Sequence, residues 1–360
     1  MTTFLRKYKK KKEIIYMKKM KQKQFHEAEY YEKLESNLVR CRLCPRNCVI
    51  KVNDLGDCKA RQNIDGKLYS LGYSRFTSVH ADPIEKKPLY HYKPGTRTMS
   101  FGSAGCNLHC DFCQNWSISQ VAATNGSLHH VSSQEAISYT VKHRCESIAF
   151  TYNEPLINFE WIKETSKLAH ERNLGTVLVS NGLINEEPLK ELIPLIDAAN
   201  IDIKSFEMDF YKEICHFPGL ERIKKNVKLM VEGGMHVELT MLIIPGFNDN
   251  ADSISEFVLW VKNELSDRIP VHFSRFYPHF KMLHVPPTPP ETIYKAREIA
   301  LEKGLKYVFV GNLPAEEYNH TLCPNCNAVL VSRYFYSISI DALEKDGTCA
   351  KCKAKTDIIV

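Results

Sequence analysis

The sequence predicts an α/β protein built on a parallel sheet, with a cysteine module on either side of it. Three observations carry this. Short apolar or β-branched runs alternate with amphipathic stretches from residue 97 to residue 312. A polar motif stands directly after nearly every one of those runs. The 13 cysteines fall mostly into three tight groups, four near the start, three in the middle and four near the end, with Cys145 and Cys215 isolated.

Strands buried on both faces read as near-continuous apolar runs. Thr98–Gly102, Ser147–Tyr152, Thr176–Asn181, Asn200–Lys204, His236–Ile244, Val271–Phe276 and Tyr307–Gly311 have that form. Between them, Ser132 and Glu135 are spaced as a capping box. Thr288, Pro289 and Glu291 stand as N-cap, N1 and N3 ahead of Ile293, Ala296 and Ile299, with Gly304 as the stop. Leu189, Leu192, Ile193 and Ile196 recur at helical spacing. Repeated β–α units imply right-handed crossovers. Roughly six units are too few for a closed eight-stranded barrel, which leaves an open, partial barrel or a doubly wound sheet.

The polar motifs favour the barrel, because α/β barrels gather their chemistry at the C-terminal ends of the strands. Asn153-Glu154-Pro155 follows the second run, Asn181-Gly182 the third, and Asp202 and Lys204 close the fourth. Pro245-Gly246-Phe247-Asn248-Asp249 follows the fifth, and Arg275, Tyr277 and His279 the sixth. All would line one mouth, with His272 and His279 as further candidates for ligand contact. Glu154 alone could be a surface carboxylate, Asn181-Gly182 and Pro245-Gly246 ordinary turns, and Asp202 and Lys204 simply a pair.

The first strand runs into SFGSAGCNLHCDFCQNW, residues 100–116. Cys106, Cys110 and Cys113 in C-x3-C-x2-C spacing can ligate one face of an iron–sulfur cluster; a zinc knuckle is the alternative. A 4Fe–4S cluster normally takes four thiolates. Cys145, the next in sequence, precedes its strand and so belongs at the opposite end of the sheet. One iron would then be open to a non-protein ligand.

The N-terminal segment, 25–96, carries Cys41-x2-Cys44-x3-Cys48-x9-Cys58. Four thiols so close, with Pro45 and Gly56 supplying turns, are expected to hold either zinc or an auxiliary iron–sulfur cluster. Residues 25–40 are expected to form a short helix, and the stretch through PIEKKPLYHYKPG an extended approach to the core. At the other end, 313–360, Cys323-x2-Cys326-x22-Cys349-x2-Cys352 flanks the hairpin-like run VLVSRYFYSISI, a zinc-ribbon pattern. Asn327 and Lys353 stand where ribbon knuckles usually have glycine.

The distribution of charge argues against one class of function. Residues 1–24 hold ten Lys/Arg against a single acid, Glu13, while the whole chain has a net charge of +6. The body is therefore slightly acidic and does not read as a nucleic-acid-binding surface. The tail reads as solvated and disordered, or as an upstream extension of a true start at Met17 or Met20. No run reaches the length of a membrane span and no secretory h-region is present. With so many cysteines this predicts a reducing, cytoplasmic setting.

Taken in order, GCNLHCDFCQN, TYNEP, VSNG, DIKS, IIPGFND and VGN resemble the radical S-adenosylmethionine (SAM) proteins of the AmmeMemoRadiSam system, over residues 30–360. These are related to the activating enzymes of glycyl-radical enzymes such as pyruvate formate-lyase. The resemblance implies a partial (β/α)6 barrel and a 4Fe–4S cluster on Cys106, Cys110 and Cys113. SAM would chelate the open iron, with Phe112 beside its adenine, Asn153 and Glu154 at its ammonium, and Asn181, Asp202, Lys204 and Gly246 as further contacts. It also implies a one-electron donor of flavodoxin or ferredoxin type, and a protein substrate or AmmeMemo-pathway partners. Val179 stands where the glycyl-radical activating enzymes carry an acid, which weakens direct transfer of their protein substrate.

Overall fold

A computed structural model describes residues 25–123, 128–314 and 316–360; the basic tail lies outside the described residues. The centre is one eight-stranded sheet. Its strands are β1 (Ser78–Pro83), β2 (Arg97–Gly102), β3 (Ser147–Phe150), β4 (Gly175–Ser180), β5 (Ala198–Asp202), β6 (His236–Ile243), β7 (Val271–Arg275) and β8 (Val308–Gly311). They lie in sequence order across the sheet, every neighbouring pair parallel except β1 with β2. Strands β1 and β8 do not pair, so the barrel is open.

Six crossovers join β2 to β8. They contain α1 (Ser133–Lys142), α2 (Phe159–His170), α3 (Glu186–Leu192), α4 (Leu220–Glu232), α5 (Ala251–Trp260) and α6 (Pro290–Glu302). The α1 capping box forms as its sequence predicts: Glu135 N–H donates to Ser132 Oγ, and Ser132 N–H to the Glu135 carboxylate. At α6 the expected cap does not form, and Pro289 is the N-cap. Thr288 instead ties two strand ends together, its hydroxyl accepting from Phe276 N–H and donating to Ile243 O.

The strands have two apolar faces. Phe101 and Phe150 point outward onto Trp161 of α2, with ring centroids 5.2 and 5.6 Å apart; full burial of side chains this size contributes roughly 2–3 kcal/mol each. Inside, small residues Ala149, Val177 and Ala198 pack on Ile84, Leu89 and Tyr92. The Pro-punctuated approach is thus a correction to the sequence reading. Its first part is β1, antiparallel to β2, and its second part plugs the N-terminal end of the barrel. The plug is fixed by Glu238, which accepts the N–H groups of Tyr90 and His91 at 2.8 and 2.7 Å. Gly175 makes room for it, since a Cβ there would lie 2.2 Å from Tyr92 Oη. His272 belongs to this plug rather than to the mouth, bonded to Glu238 at 2.6 Å and packed against Tyr90.

Residues 25–40 are not a helix. They form the strands His26–Glu27, Tyr31–Lys33 and Val39–Cys41 with a 3-10 turn at Glu35–Asn37. Arg61, only 1% exposed, anchors this module to α2 by a 2.6 Å ion pair with Glu160.

The C-terminal module is β9 (Thr321–Leu322), β10 (Val329–Tyr334) and β11 (Ser337–Ile340). It sits on the plugged end of the barrel. Arg333 donates to Tyr90 O and stacks over the Tyr90 ring, Asp357 pairs with Arg268 and accepts from Tyr307 Oη, and Ile359 bonds His91 and Lys93 through the backbone. No helix among the described residues is long and apolar enough to cross a membrane.

Candidate active site

The opposite, C-terminal end of the barrel carries the cysteine loop and the strand-end motifs. Cys110 is buried, and Cys106 and Cys113 are half-buried. Burial raises the Cys106 and Cys113 thiols above their ordinary range. A hydrogen bond with Cys215, followed by burial, raises Cys110. Without a ligand the three are therefore neutral thiols, and a metal group binding them displaces their protons.

The loop is held from several sides. Asn153 Oδ1 accepts from Ser103 N–H at 3.0 Å, and its Nδ2 donates to Gly105 O at 2.8 Å and to Ser103 Oγ at 3.0 Å. Asn107 donates to Leu183 O at 2.7 Å and Arg46 to Asn107 O at 2.6 Å. His109 and Asp111 donate their backbone N–H groups to Cys215 O and Ile214 O. From β7, the following loop closes over it: Trp116 stacks on Phe280 at 5.3 Å, and Lys281 pairs with Asp111 at 2.7 Å.

Glu154 is no surface carboxylate. It is 2% exposed and accepts from Leu156 N–H, Ser180 Oγ and Asn181 N–H at 2.8–3.0 Å. Burial pushes its carboxyl up to about 7, against those donors and the nearby Lys204 charge. Asn181 passes the contact on, its Nδ2 donating to Asn107 Oδ1 at 2.9 Å and lying 3.9 Å from Cys106 Sγ. Donors to the ligating sulfurs tune an iron–sulfur cluster.

Asp202 and Lys204 do pair, at 2.9 Å. Burial opposes the Lys204 charge, but the Asp202 carboxylate paired with it holds the ammonium protonated. A fixed cation thus stands beside the thiol group. Phe112 packs into the core against Phe210, at 5.9 Å. Gly246 has φ +76° with open space on its Cβ side, a turn closed by Asp249 accepting its N–H. Val179 is half-buried and packs with the plug residues on the barrel's inner face.

Ser180 and Cys215 were missed by sequence reasoning, and Asn248 was named only as part of its strand-end motif. Ser180 and Asn248 are fully buried connectors, Asn248 donating to Lys204 O and Leu242 O at 2.7 and 2.8 Å. Cys215, fully buried, lies against Cys110; nothing in its sequence neighbourhood signals this, because the contact is made by chain folding over 105 residues. Cys145 lies below β3, its thiol toward His143 O, as its sequence position predicts.

The four N-terminal cysteines line one enclosed cavity with Leu43, Ile50, Arg61 and Ile157. In the ribbon, the sulfurs of Cys323, Cys326, Cys349 and Cys352 all lie within 4.8 Å of one another. Cys323–Cys352 and Cys326–Cys349 are 3.6 and 3.7 Å apart. A tetrahedron of 2.3 Å zinc–sulfur bonds has edges of about 3.8 Å. Asn327 and Lys353 take φ +58° and +62°, the left-handed turn that glycine usually supplies.

An open α/β barrel with a three-cysteine loop at its mouth defines a class, and comparison with known proteins agrees. The chain belongs to the radical SAM superfamily, whose family model matches residues 101–258. An uncharacterized protein of Methanocaldococcus jannaschii, MJ0808, is 43% identical over 93% of this chain and 99% of its own length. The 4-hydroxyphenylacetate decarboxylase activating enzyme of Clostridioides difficile is 28% identical over 33% of this chain and 38% of its own. A solved domain of a pyruvate-formate lyase-activating enzyme from Bacteroides vulgatus covers 46% of this chain and 99% of its own, at 18% identity and TM-score 0.41.

The protein is a radical SAM enzyme that uses an iron–sulfur cluster and SAM. When bound, that pair supplies a 5′-deoxyadenosyl radical, which abstracts hydrogen from substrate.

Proposed function

We propose that Cys106, Cys110 and Cys113 hold the 4Fe–4S cluster with one iron left for SAM, and that the substrate, still unidentified, enters the mouth above it. The observation that supports this best is the convergence of three strand ends on one loop. Asn153 braces the loop backbone, Asn181 reaches Cys106, and the Lys204 ammonium stands beside Cys110. A thiolate-ligated cluster is anionic, and these donors and this cation are what such a group requires around it. The reading is tested by anaerobic reconstitution with SAM and dithionite: 5′-deoxyadenosine is expected, and its absence from an iron-replete protein would overturn it.

Glu154 is assigned to the SAM ammonium, with Asn153 and Asn181 positioning the loop and Asp202–Lys204 bordering the site. Phe112 and Gly246 are kept as adenine-side contacts on the strength of the resemblance alone. A charge-assisted hydrogen bond contributes about 1.5–3 kcal/mol, so Glu154→Gln is expected to weaken SAM binding roughly 10–150-fold. The carboxyl titrates near 7, and only its charged form attracts the ammonium. SAM affinity should therefore fall as pH drops through 7 in the parent and stay flat in Glu154→Gln, measured by calorimetry under anaerobic conditions. In the ligand-free protein the sign is opposite for folding: the raised value stabilises the fold below about 4.5, and that contribution is lost as pH rises through 7.

The ordered motif series supports placement in the AmmeMemoRadiSam system, with its partners and a flavodoxin- or ferredoxin-type donor. A second reading, activation of a glycyl-radical enzyme, is favoured by the likeness to the decarboxylase activating enzyme; apolar Val179 counts against it. The ribbon is proposed to bind zinc and the N-terminal cysteines a metal or cluster. Thirteen free cysteines suit a reducing cytoplasm.

A further inference from the structure

The sequence left the N-terminal site open between zinc and a cluster. The structure contains an internal standard for each. The ribbon sulfurs have closed to zinc-sized spacing. Among the described residues no other set of three or more ligating atoms lies mutually within 4.8 Å. Cys41, Cys44, Cys48 and Cys58 are therefore not drawn to the ribbon's spacing, and neither are Cys106, Cys110 and Cys113. In an iron–sulfide cube each thiolate binds its own iron, so the sulfurs occupy the corners of a larger tetrahedron.

The walls of the cavity agree. Leu43, Ile50 and Ile157 make it apolar. Backbone N–H groups of Arg46, Asp57 and Ala60 reach the sulfurs of Cys44, Cys48 and Cys58. Arg61, fully buried, adds a cation whose guanidinium is fixed by Glu160 at 2.6 Å, Glu29 O at 3.0 Å and Ile157 O at 3.3 Å. An anionic polynuclear group in a dry pocket needs both the N–H donors and the positive charge.

We propose that Cys41, Cys44, Cys48 and Cys58 hold a second 4Fe–4S cluster, ligated by protein at all four irons, on the outer side of the Cys106 loop. This rests on the proposed metal-binding role of those cysteines. The two cysteine loops touch through their backbones: a Cβ on Gly105, the residue before Cys106, would lie 2.2 Å from Cys58 O. With no open iron, this cluster does not chelate SAM.

The test is anaerobic reconstitution of the full chain with iron and sulfide, reading iron, labile sulfide and zinc per chain. The parent should hold about eight irons and about one zinc, and Cys106→Ala/Cys110→Ala/Cys113→Ala should stay brown with about four irons. The parent count does not depend on the variant folding; a parent saturating at about four irons overturns the proposal. A colourless triple variant with about two zincs per chain also overturns it, yet leaves the site a metal site. One with about a single zinc and no iron ends both readings.

Discussion

Cys106→Ala should abolish 5′-deoxyadenosine formation, lowering it by at least about 10³-fold, or about 4 kcal/mol in barrier terms. The residue has no substitute. Its sulfur is half-buried among Cys110, Cys113 and Glu154, and Asn181 Nδ2 is 3.9 Å away. With two thiolates left, a cluster held as proposed would have two irons without a protein ligand instead of one. Cys215→Ala is the matched comparison. That thiol also touches the group, through Cys110, but it is fully buried behind it in the core. Cys215→Ala should retain iron content and SAM cleavage. If it loses iron as Cys106→Ala does, Cys215 is a fourth ligand and the open iron does not exist. Iron analysis and product chromatography on the two variants decide between these.

What could be read in advance follows from how local each signal is. The cysteine loop was legible because its three cysteines lie within eight residues, and the strands because burial on two faces leaves uninterrupted apolar runs such as SIAF and GTVLVS. Residues 25–40 misled because Glu, Lys and Tyr at mixed spacing satisfy a helix as well as a hairpin. Tertiary contacts decided it: Tyr30 meets Phe159 of α2 edge-on at 5.1 Å and bonds Glu191 of α3, which holds the segment against both helices. The barrel plug was illegible for a related reason. His91, Glu238 and His272 are polar residues that a pattern assigns to the surface, yet they are at most 3% exposed, with Glu238 accepting from the His91 backbone N–H and bonded to His272. Glu154 was placed correctly at a strand end, but the burial that raises its carboxyl, against the Ser180 and Asn181 donors, comes from tertiary packing that no local pattern signals.

Cys349→Ala should unfold the C-terminal module without stripping the Cys106 loop of its ligands. The module's own core is small: Leu330, Val331, Ala342, Leu343 and Ile358 with Cys323 and Cys349. At 48 residues from 313 to the end, a core of that size falls below what sustains an independent fold, and such units rely on metal. Structural zinc binding is worth about 10–16 kcal/mol in finger peptides, far more than these side chains supply. Removing one thiolate leaves three, and the knuckle turns at Asn327 and Lys353, held at positive φ, lose what offsets their strain. The loss then reaches the barrel, because Arg333 and Asp357 are the module's grip on Tyr90, Arg268 and Tyr307. Limited proteolysis should cut the variant between residue 313 and the C-terminus, with zinc falling by about one per chain, and hydrogen exchange should rise in residues 84–92. Protection unchanged in both segments would mean that the module stands without metal, and that its four sulfurs are close for reasons of packing alone.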